Sequence, residues 1–426
     1  MEISFSQEKF DLKAGMKIAG YGGRVACGVN DDLKARVIVF KEDGEFYPLI
    51  QLDLLAIDYY FSDLIKKNIE EKLAIKKENI MINCSHTHSG IAGVVNTDLN
   101  INKRYLGTFD KFNEDLASSI IEKIITSIEK SQNSMEKFKI YYNRKTVEGI
   151  CTDRNNPSNY IDNLLQTINI ETESKRKAVI YNYACHPTVL EGTNKYITAD
   201  FVGETSRVLE DGGVAVAMFY NGACGNISTR FTKKESSFNE VKRIGGTLGV
   251  EVLKLIEDNK EELELSKITI KSKTISLKVK EIGTEESIRA KMSQIEVKIK
   301  EALDKGLDKN SMKPYYFELE GARRNLDLLG SFEDIKTIDL KVNLFKAKDI
   351  YMVYIPGELF SSLGDKIKNE FYDKKVIIVT YSNGYIGYIP DEEAYEKGCF
   401  EVMLSPLDKG EGEKLVYDVI EMIKKI

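Results

Sequence analysis

Apolar residues in this chain fall into two kinds of run. The first is short and nearly continuous: "ARVIVF", "YPLIQLDLLAI", "IMINCS", "KAVIYNYA", "VAVAMFYN", "DIYMVYIP" and "KVIIVTYS". Unbroken apolar runs of this length predict strands buried on both faces. The second kind repeats at helical spacing, in "FSDLIKKNIEEKLAI", "FNEDLASSIIEKIITSIEK", "DFVGETSRVLED" and "EVKRIGGTLGVEVLKLIEDN". The alternation of the two predicts an α/β layered domain, a central mixed β-sheet covered by helices. Residues 281–330 depart from it. Ile288, Met292, Ile295, Ile299 and Leu303 recur at helical spacing, and a second amphipathic helix is expected after Pro314. This stretch reads as a helical excursion on one side of a single domain covering 1–426. No linker, low-complexity tract or internal repeat divides the chain.

Composition narrows the function classes. The chain has 426 residues and is 42% hydrophobic, enough for a large core. Lys+Arg is 61 against Asp+Glu 67, a net charge of -6, with no basic patch, so nucleic acid is not an expected partner. The start, "MEISFSQEKFDLKAG", lacks the basic-then-apolar pattern of a leader, and no apolar run is long enough for a transmembrane segment. The expectation is a cytoplasmic protein, with a homo-oligomer left open. Six scattered cysteines without a CxxC pair are expected to be small, buried and reduced.

Candidate chemistry collects where the strands end. The chain has three histidines. His86 and His88 follow "IMINCS", and on an extended chain residues i and i+2 share a side. His186 follows "KAVIYNYA", with Pro187 favouring an extended backbone. Glu358 follows "DIYMVYIP", where a helix is expected to start. Tyr385 and Tyr388 follow "KVIIVTYS", and "GACGNIS" presents Asn226 and Ser228. Singly, each has an ordinary explanation: a solvated histidine, a helix-start carboxylate, a packed tyrosine, a tight turn. Jointly, a His/His/Glu set suits Zn²⁺ with an open position for water. HExxH is absent, which excludes the helical zinc-protease motif, and the absence of GxSxG and of the P-loop argues against an α/β-hydrolase esterase and a nucleotide-driven enzyme.

"CSHTHSG", "YACHPTVL" with "ITADFVGETSRVLE", "FYNGACGNIS", "YIPGELFSSLG" and "SNGYIGYIPDEEAYEKGCFEV" occur in that order. Together they resemble the catalytic domain of neutral/alkaline non-lysosomal ceramidases, over nearly the whole chain. The resemblance implies one zinc held by His86, His186, Glu358 and Tyr388. It implies that His88 contacts substrate near the reacting carbonyl, that Ser228 stands where the family has the serine of its G-D-V-S motif, and that Arg154 lies near the site. Gly20 (as a backbone N–H donor) and Tyr385 are expected on the oxyanion or substrate side. Ile91 replaces the family's proline after "HTHSG", and Asn226 replaces the motif's carboxylate. The chain stops where longer members continue into a C-terminal β-sandwich, which is not expected here. Asp53 and Asp200 are candidate acceptors for orienting the histidines.

The expected activity is zinc-dependent hydrolysis of an N-acyl amide bond, with zinc-activated water attacking the carbonyl of a small-molecule or lipid-like substrate. An ester or lactam hydrolase, or a non-catalytic metal-stabilised ligand-binding protein, are the alternatives.

Overall fold

Three mixed sheets built to one plan carry the fold. The computed structural model describes residues 1–258, 261–265, 267–332 and 335–426. The first sheet runs β1 (Glu2–Lys9), β2 (Lys34–Glu42), β3 (Glu45–Leu52), β4 (Met81–Cys84). Its first three strands are antiparallel, and β4 joins β3 in parallel. Helix α1 (Tyr59–Leu73) makes that crossover. Asp58 caps it by accepting from the Phe61 N–H, and Phe61, Ile65 and Ile69 are buried. Helix α2 (Glu114–Gln132) starts at a capping Asn113 and buries Ile120, Ile124 and Ile128, each removal from water worth roughly 2 kcal/mol.

The second sheet is ordered β8 (Val216–Asn221), β7 (Lys177–Tyr183), β6 (Leu164–Thr172), β5 (Phe138–Thr146), with the short pair Glu262–Leu263 at the edge. Again one pair, β7–β8, is parallel, and α3 (Phe201–Asp211) makes the crossover. Helix α4 (Phe238–Asp258) packs beside α3. The third sheet, β9 (Ile268–Lys278), β10 (Thr337–Ala347), β11 (Ile350–Tyr354), β12 (Lys375–Val379), repeats the pattern. Between β9 and β10 lie helices α5 (Glu285–Asp304) and α6 (Lys309–Phe332). The second helix begins at Lys309, ahead of the Pro314 read as its start. Helix α7 (Ser361–Glu370) makes the parallel β11–β12 crossover. A short α8 (Phe400–Leu404) and α9 (Glu411–Lys424) follow.

The unbroken apolar runs have a direct cause. Ile38 and Phe40 of β2, Ile168 and Ile170 of β6, and Met352 and Tyr354 of β11 meet in one cluster where the sheets face each other. The alternate residues point outward under helices: Val37 and Val39 against α1 and α2, Val179 and Tyr181 against α3 and α4, Tyr351 and Val353 against α7. Period-2 geometry with both faces buried leaves no polar position to interrupt the run. The layered α/β class is the observed one, with the mixed strands divided among three sheets.

The three parallel pairs bring their carboxyl ends together. The Cys84 N–H donates to the Tyr381 carbonyl (3.1 Å), the Asn383 N–H to Ile82 (2.9 Å) and the Thr380 N–H to Asn221 (2.9 Å). Among the described residues no helix is long and apolar enough to cross a membrane. The six cysteines are free thiols. Four are buried, Cys399 is half-buried, and Cys27 is exposed, contrary to the expectation of uniform burial.

Candidate metal centre and cleft

His86 lies two residues past the end of β4, and its backbone has φ +70°. The chain is therefore turned, not extended, where the histidine pair sits. The rings still converge: His86 and His88 meet edge to face with centroids 4.8 Å apart, and their Nε2 atoms are 3.2 Å apart. The His86 ring is held from behind. Its Nδ1 is 2.8 Å from the Leu55 carbonyl, and Tyr381 stacks on it at 3.8 Å and 15°. The sequence reading missed Tyr381, whose flanking residues look like those of any strand end. Its hydroxyl donates to Glu358 Oε2 (3.3 Å).

His186 is extended, bridging in parallel to Ser228, as the following proline favours. Its Nδ1 faces the carbonyls of Cys224 (2.8 Å) and Ile227 (3.0 Å), and its Nε2 lies 2.9 Å from Glu358 Oε2. The same carboxylate oxygen is 3.5 Å from His86 Nε2. Glu358 sits on a two-residue strand, Glu358–Leu359, paired in parallel with Tyr388–Ile389, so the expected helix start is displaced to Ser361. That strand is supported by Gly225. A Cβ on Gly225 would stand 2.4 Å from the Glu358 carbonyl oxygen, so only glycine permits the contact.

These contacts settle what the inward atoms can do. A carbonyl only accepts, so each Nδ1 carries the ring hydrogen, and each Nε2 is left with a lone pair. Two such nitrogens and an acceptor-only carboxylate point at one another. Three lone-pair donors at this separation repel unless a cation is shared between them. His86, His88 and His186 also form a cluster whose ring nitrogens lie within 4.8 Å of one another.

Burial disfavours ionisation of Glu358, but the facing imidazoles of His86 and His186 outweigh it and hold the carboxyl well below its usual range. Burial, with Arg154 adding to it, pushes His186 down to about 4. Burial and the two neighbouring imidazoles hold His88 well below the usual histidine value, so it is neutral at neutral pH. Burial raises the Tyr388 phenol despite the nearby Arg154.

Gly20, His86, His88, Arg154, Ser228, Glu358, Tyr385 and Tyr388 all line one cleft of about 750 Å³, and His186 is sealed behind it. Several details differ from expectation. The Gly20 N–H donates to the Thr108 carbonyl (3.1 Å) and is not free for an oxyanion. Gly20 is needed for space: at φ +102°, its Cβ would be 3.0 Å from His88. Arg24 ties this turn down by donating to the Ala19 and His88 carbonyls. The Tyr385 hydroxyl donates to Glu358 Oε1, so it braces that carboxylate. Asp53 is taken up by Arg36 (2.7 Å) and Gln51 (2.9 Å), and Asp200 caps α3 and accepts from Val189 and Leu190. Neither touches a histidine, because backbone carbonyls already occupy both Nδ1 atoms. Ser228 Oγ accepts from the Arg230 N–H (3.3 Å). Arg154 donates through Nε to Glu401 and through Nη2 to the Gly225 carbonyl (2.7 Å), and its guanidinium lies 5.3 Å from the Tyr388 ring centroid. Glu401 was not foreseen, since one glutamate on a short helix carries no local signal.

The profile of the family described as neutral/alkaline non-lysosomal ceramidase, N-terminal, matches residues 12–232, more than half of the chain. The chain belongs to this family. The crystal structure of neutral ceramidase from Pseudomonas aeruginosa is similar to it with a TM-score of 0.76 and 16% identity, over 100% of this chain and 75% of that one. A structure of a ceramidase complexed with C2 is similar at TM-score 0.75 and 15% identity, with the same coverage. Membership in the ceramidase family makes the chain a hydrolase of an amide bond. His86, His88, Arg154, His186 and Ser228 fall inside the family-matched segment. Glu358, Tyr385 and Tyr388 fall outside it; Glu358 meets His86 and His186 at the distances above, Tyr385 donates to Glu358, and Tyr388 lies in register with it.

Proposed function

We propose that this ceramidase-family protein is a zinc-dependent amidohydrolase that cleaves an N-acyl bond. The observation that carries the reading is the meeting of His86 Nε2, His186 Nε2 and Glu358 Oε2, with both Nδ1 atoms committed to carbonyls. Two neutral imidazoles and a carboxylate are a donor set that zinc accepts, and a catalytic site keeps a further position open. Tyr388, in register with Glu358, is the proposed fourth ligand. A zinc ion held there supplies Lewis-acid polarisation of the amide carbonyl and activation of water at neutral pH.

The chain's own groups complete the chemistry. His88, kept neutral, offers a ring N–H rather than a proton, which favours hydrogen bonding to the developing oxyanion. Arg154, locked by Glu401 and Gly225, brings a fixed positive charge to the same cleft without reorganising during reaction. Ser228 already accepts from Arg230, which leaves its hydroxyl hydrogen for substrate. No histidine or carboxylate among the described residues hydrogen-bonds its Oγ, so a positioning donor is the better-supported role than an activated nucleophile. Glu358 is held ionised and oriented by Tyr381 and Tyr385.

The test is elemental analysis of protein produced with zinc available, with His86→Ala and His186→Ala beside it, and an assay of N-dodecanoyl amide hydrolysis on all three. Stoichiometric zinc and hydrolysis in the wild type, both lost in the variants, are expected. Wild type that hydrolyses the amide after complete zinc removal would sink the proposal.

A further inference from the structure

The cleft is electropositive in a chain of net charge -6. Its walls carry five basic side chains, Arg104, Arg154, Arg230, Lys233 and Arg324, against Glu191, Asp327 and Glu358. The carboxylates leave two of the bases uncompensated. Glu358 belongs to the metal centre. Glu191 pairs with Lys233 (2.9 Å) and Asp327 with Arg324 (3.3 Å). Arg154 already has a partner in Glu401, which does not line the cleft. Among the described residues no carboxylate is within ion-pair distance of Arg104 or Arg230. Arg104 is clamped between the rings of Tyr105 (4.4 Å) and Phe332 (4.5 Å), and its Nε and Nη1 are buried without a partner. Lys280, bonded to carbonyls of α8, is pushed down to about 8 by burial and by Arg104, as expected beside uncompensated positive charge.

Arg230 is the base free to meet a ligand. It is exposed, two residues beyond Ser228, and it borders both the cleft and an adjoining cavity of about 640 Å³. That second cavity also carries the carboxylates Asp153, Asp391, Glu393 and Glu401, of which Glu401 pairs with Arg154 and Glu393 with Lys397, so an anion is favoured on the cleft side of Arg230. Within the cleft, Leu55, Leu328 and Leu404 offer an apolar surface for an acyl chain, and the charged end of a substrate belongs toward Arg230. A planar guanidinium without a counter-charge pairs with oxyanions in two-pronged fashion, and low-dielectric walls strengthen the attraction.

We infer that the substrate is an N-acyl amide whose amine-derived part carries an oxyanion, a carboxylate or sulfonate, bound by Arg230. The inference rests on the amidohydrolase reading for the position of the bond, and on the cleft alone for the charge.

The test uses the zinc-loaded protein and two ligands equal in length. They are the uncleavable ketomethylene isosteres of N-dodecanoylglycine and of N-dodecanoylglycinamide, titrated calorimetrically. The carboxylate form is expected to bind about tenfold or more tightly than the neutral one. That ratio should fall as salt rises from about 50 mM to about 500 mM. It should approach one in Arg230→Ala and Arg230→Gln, and stay partly intact in Arg230→Lys. Equal affinities in the wild type, absence of binding, or a preference that survives both Arg230→Ala and Arg230→Gln overturns the inference. The parent amides are assayed for hydrolysis in parallel. Hydrolysis without charge preference removes the oxyanion subsite and leaves the hydrolase. An Arg230-dependent binding preference with no hydrolysis leaves the subsite and removes the hydrolase.

Discussion

Arg154 and Glu401, 247 positions apart, form an ion pair enclosed beside the cleft, with the two side chains 16% and 1% exposed. The Asn155 amide donates to the other Glu401 oxygen (3.1 Å), so the carboxylate has partners on both sides. The pair fixes a cation against Tyr388 while keeping its counter-charge out of the cleft.

Removing one member should strand the other's buried charge. Glu401→Ala is expected to lower unfolding free energy by about 3 kcal/mol, and Arg154→Ala by a similar amount. The double variant should lose markedly less than the sum, because no lone charge remains. Urea denaturation of the four proteins measures this, and strictly additive losses would show that the two charges are not coupled.

Gly225→Ala should damage the metal centre without altering any ligand. The added methyl group cannot coexist with the Glu358 carbonyl at 2.4 Å, so the Glu358–Leu359 strand must move. A loss of about 2 kcal/mol in stability is expected. Zinc affinity should fall by about tenfold or more, as for a change that misorients a ligand. Competition with a chromophoric chelator reads the affinity. Wild-type affinity would mean that Glu358 does not hold the ion.

Zinc should stabilise the fold because it relieves the repulsion among three converging lone-pair donors. At about a hundredfold excess over its dissociation constant, zinc should add about 2.7 kcal/mol. Thermal melts with zinc, and with zinc plus excess chelator, check this. His186→Ala should show no zinc-dependent shift, and a shift equal to wild type would place the ion elsewhere.

Asp200 gives a pH prediction of definite sign. Burial raises its carboxyl to about 6 from 3.8, against the pull of the Leu190, Phe201 and Val189 N–H groups. A raised folded pKa favours the protonated native state. Its contribution is full below about pH 4 and is lost as pH rises through about 6, a change of about 3 kcal/mol. Wild type should lose that much relative to Asp200→Asn between those limits in denaturant titrations. A difference between the two proteins that is flat in pH would remove this account of Asp200.

Much of the framework was legible in the linear pattern. Seven apolar runs became strands because each is buried on both faces, a condition that writes itself as an uninterrupted run. The runs around β1, β5, β6, β9 and β10 were not singled out. Polar residues break them at edges or under hydrogen bonds, as where Asn169 and Gln166 interrupt β6 while bonding to Leu255 and Val376. The division into three sheets was not legible either, since which strand pairs with which is set by packing between distant segments.

The candidate site divides along the same line. The identities of His86, His88, His186, Glu358 and Tyr388, and their places after strands, were in the sequence, because a donor atom's chemistry belongs to its residue type. Their geometry was not. Extended spacing was expected to align His86 with His88, but a left-handed backbone at His86 turns the chain there, and the rings meet for another reason. The acceptors that fix both imidazoles are carbonyls of Leu55, Cys224 and Ile227, which no side-chain pattern can announce. Glu401 behind Arg154 and Tyr381 behind His86 are likewise products of folding. The sequence by itself determined which groups could carry charge, share a proton or hold a metal. Only the tertiary structure decided which of them meet, because those contacts join chain segments whose separation no local periodicity records.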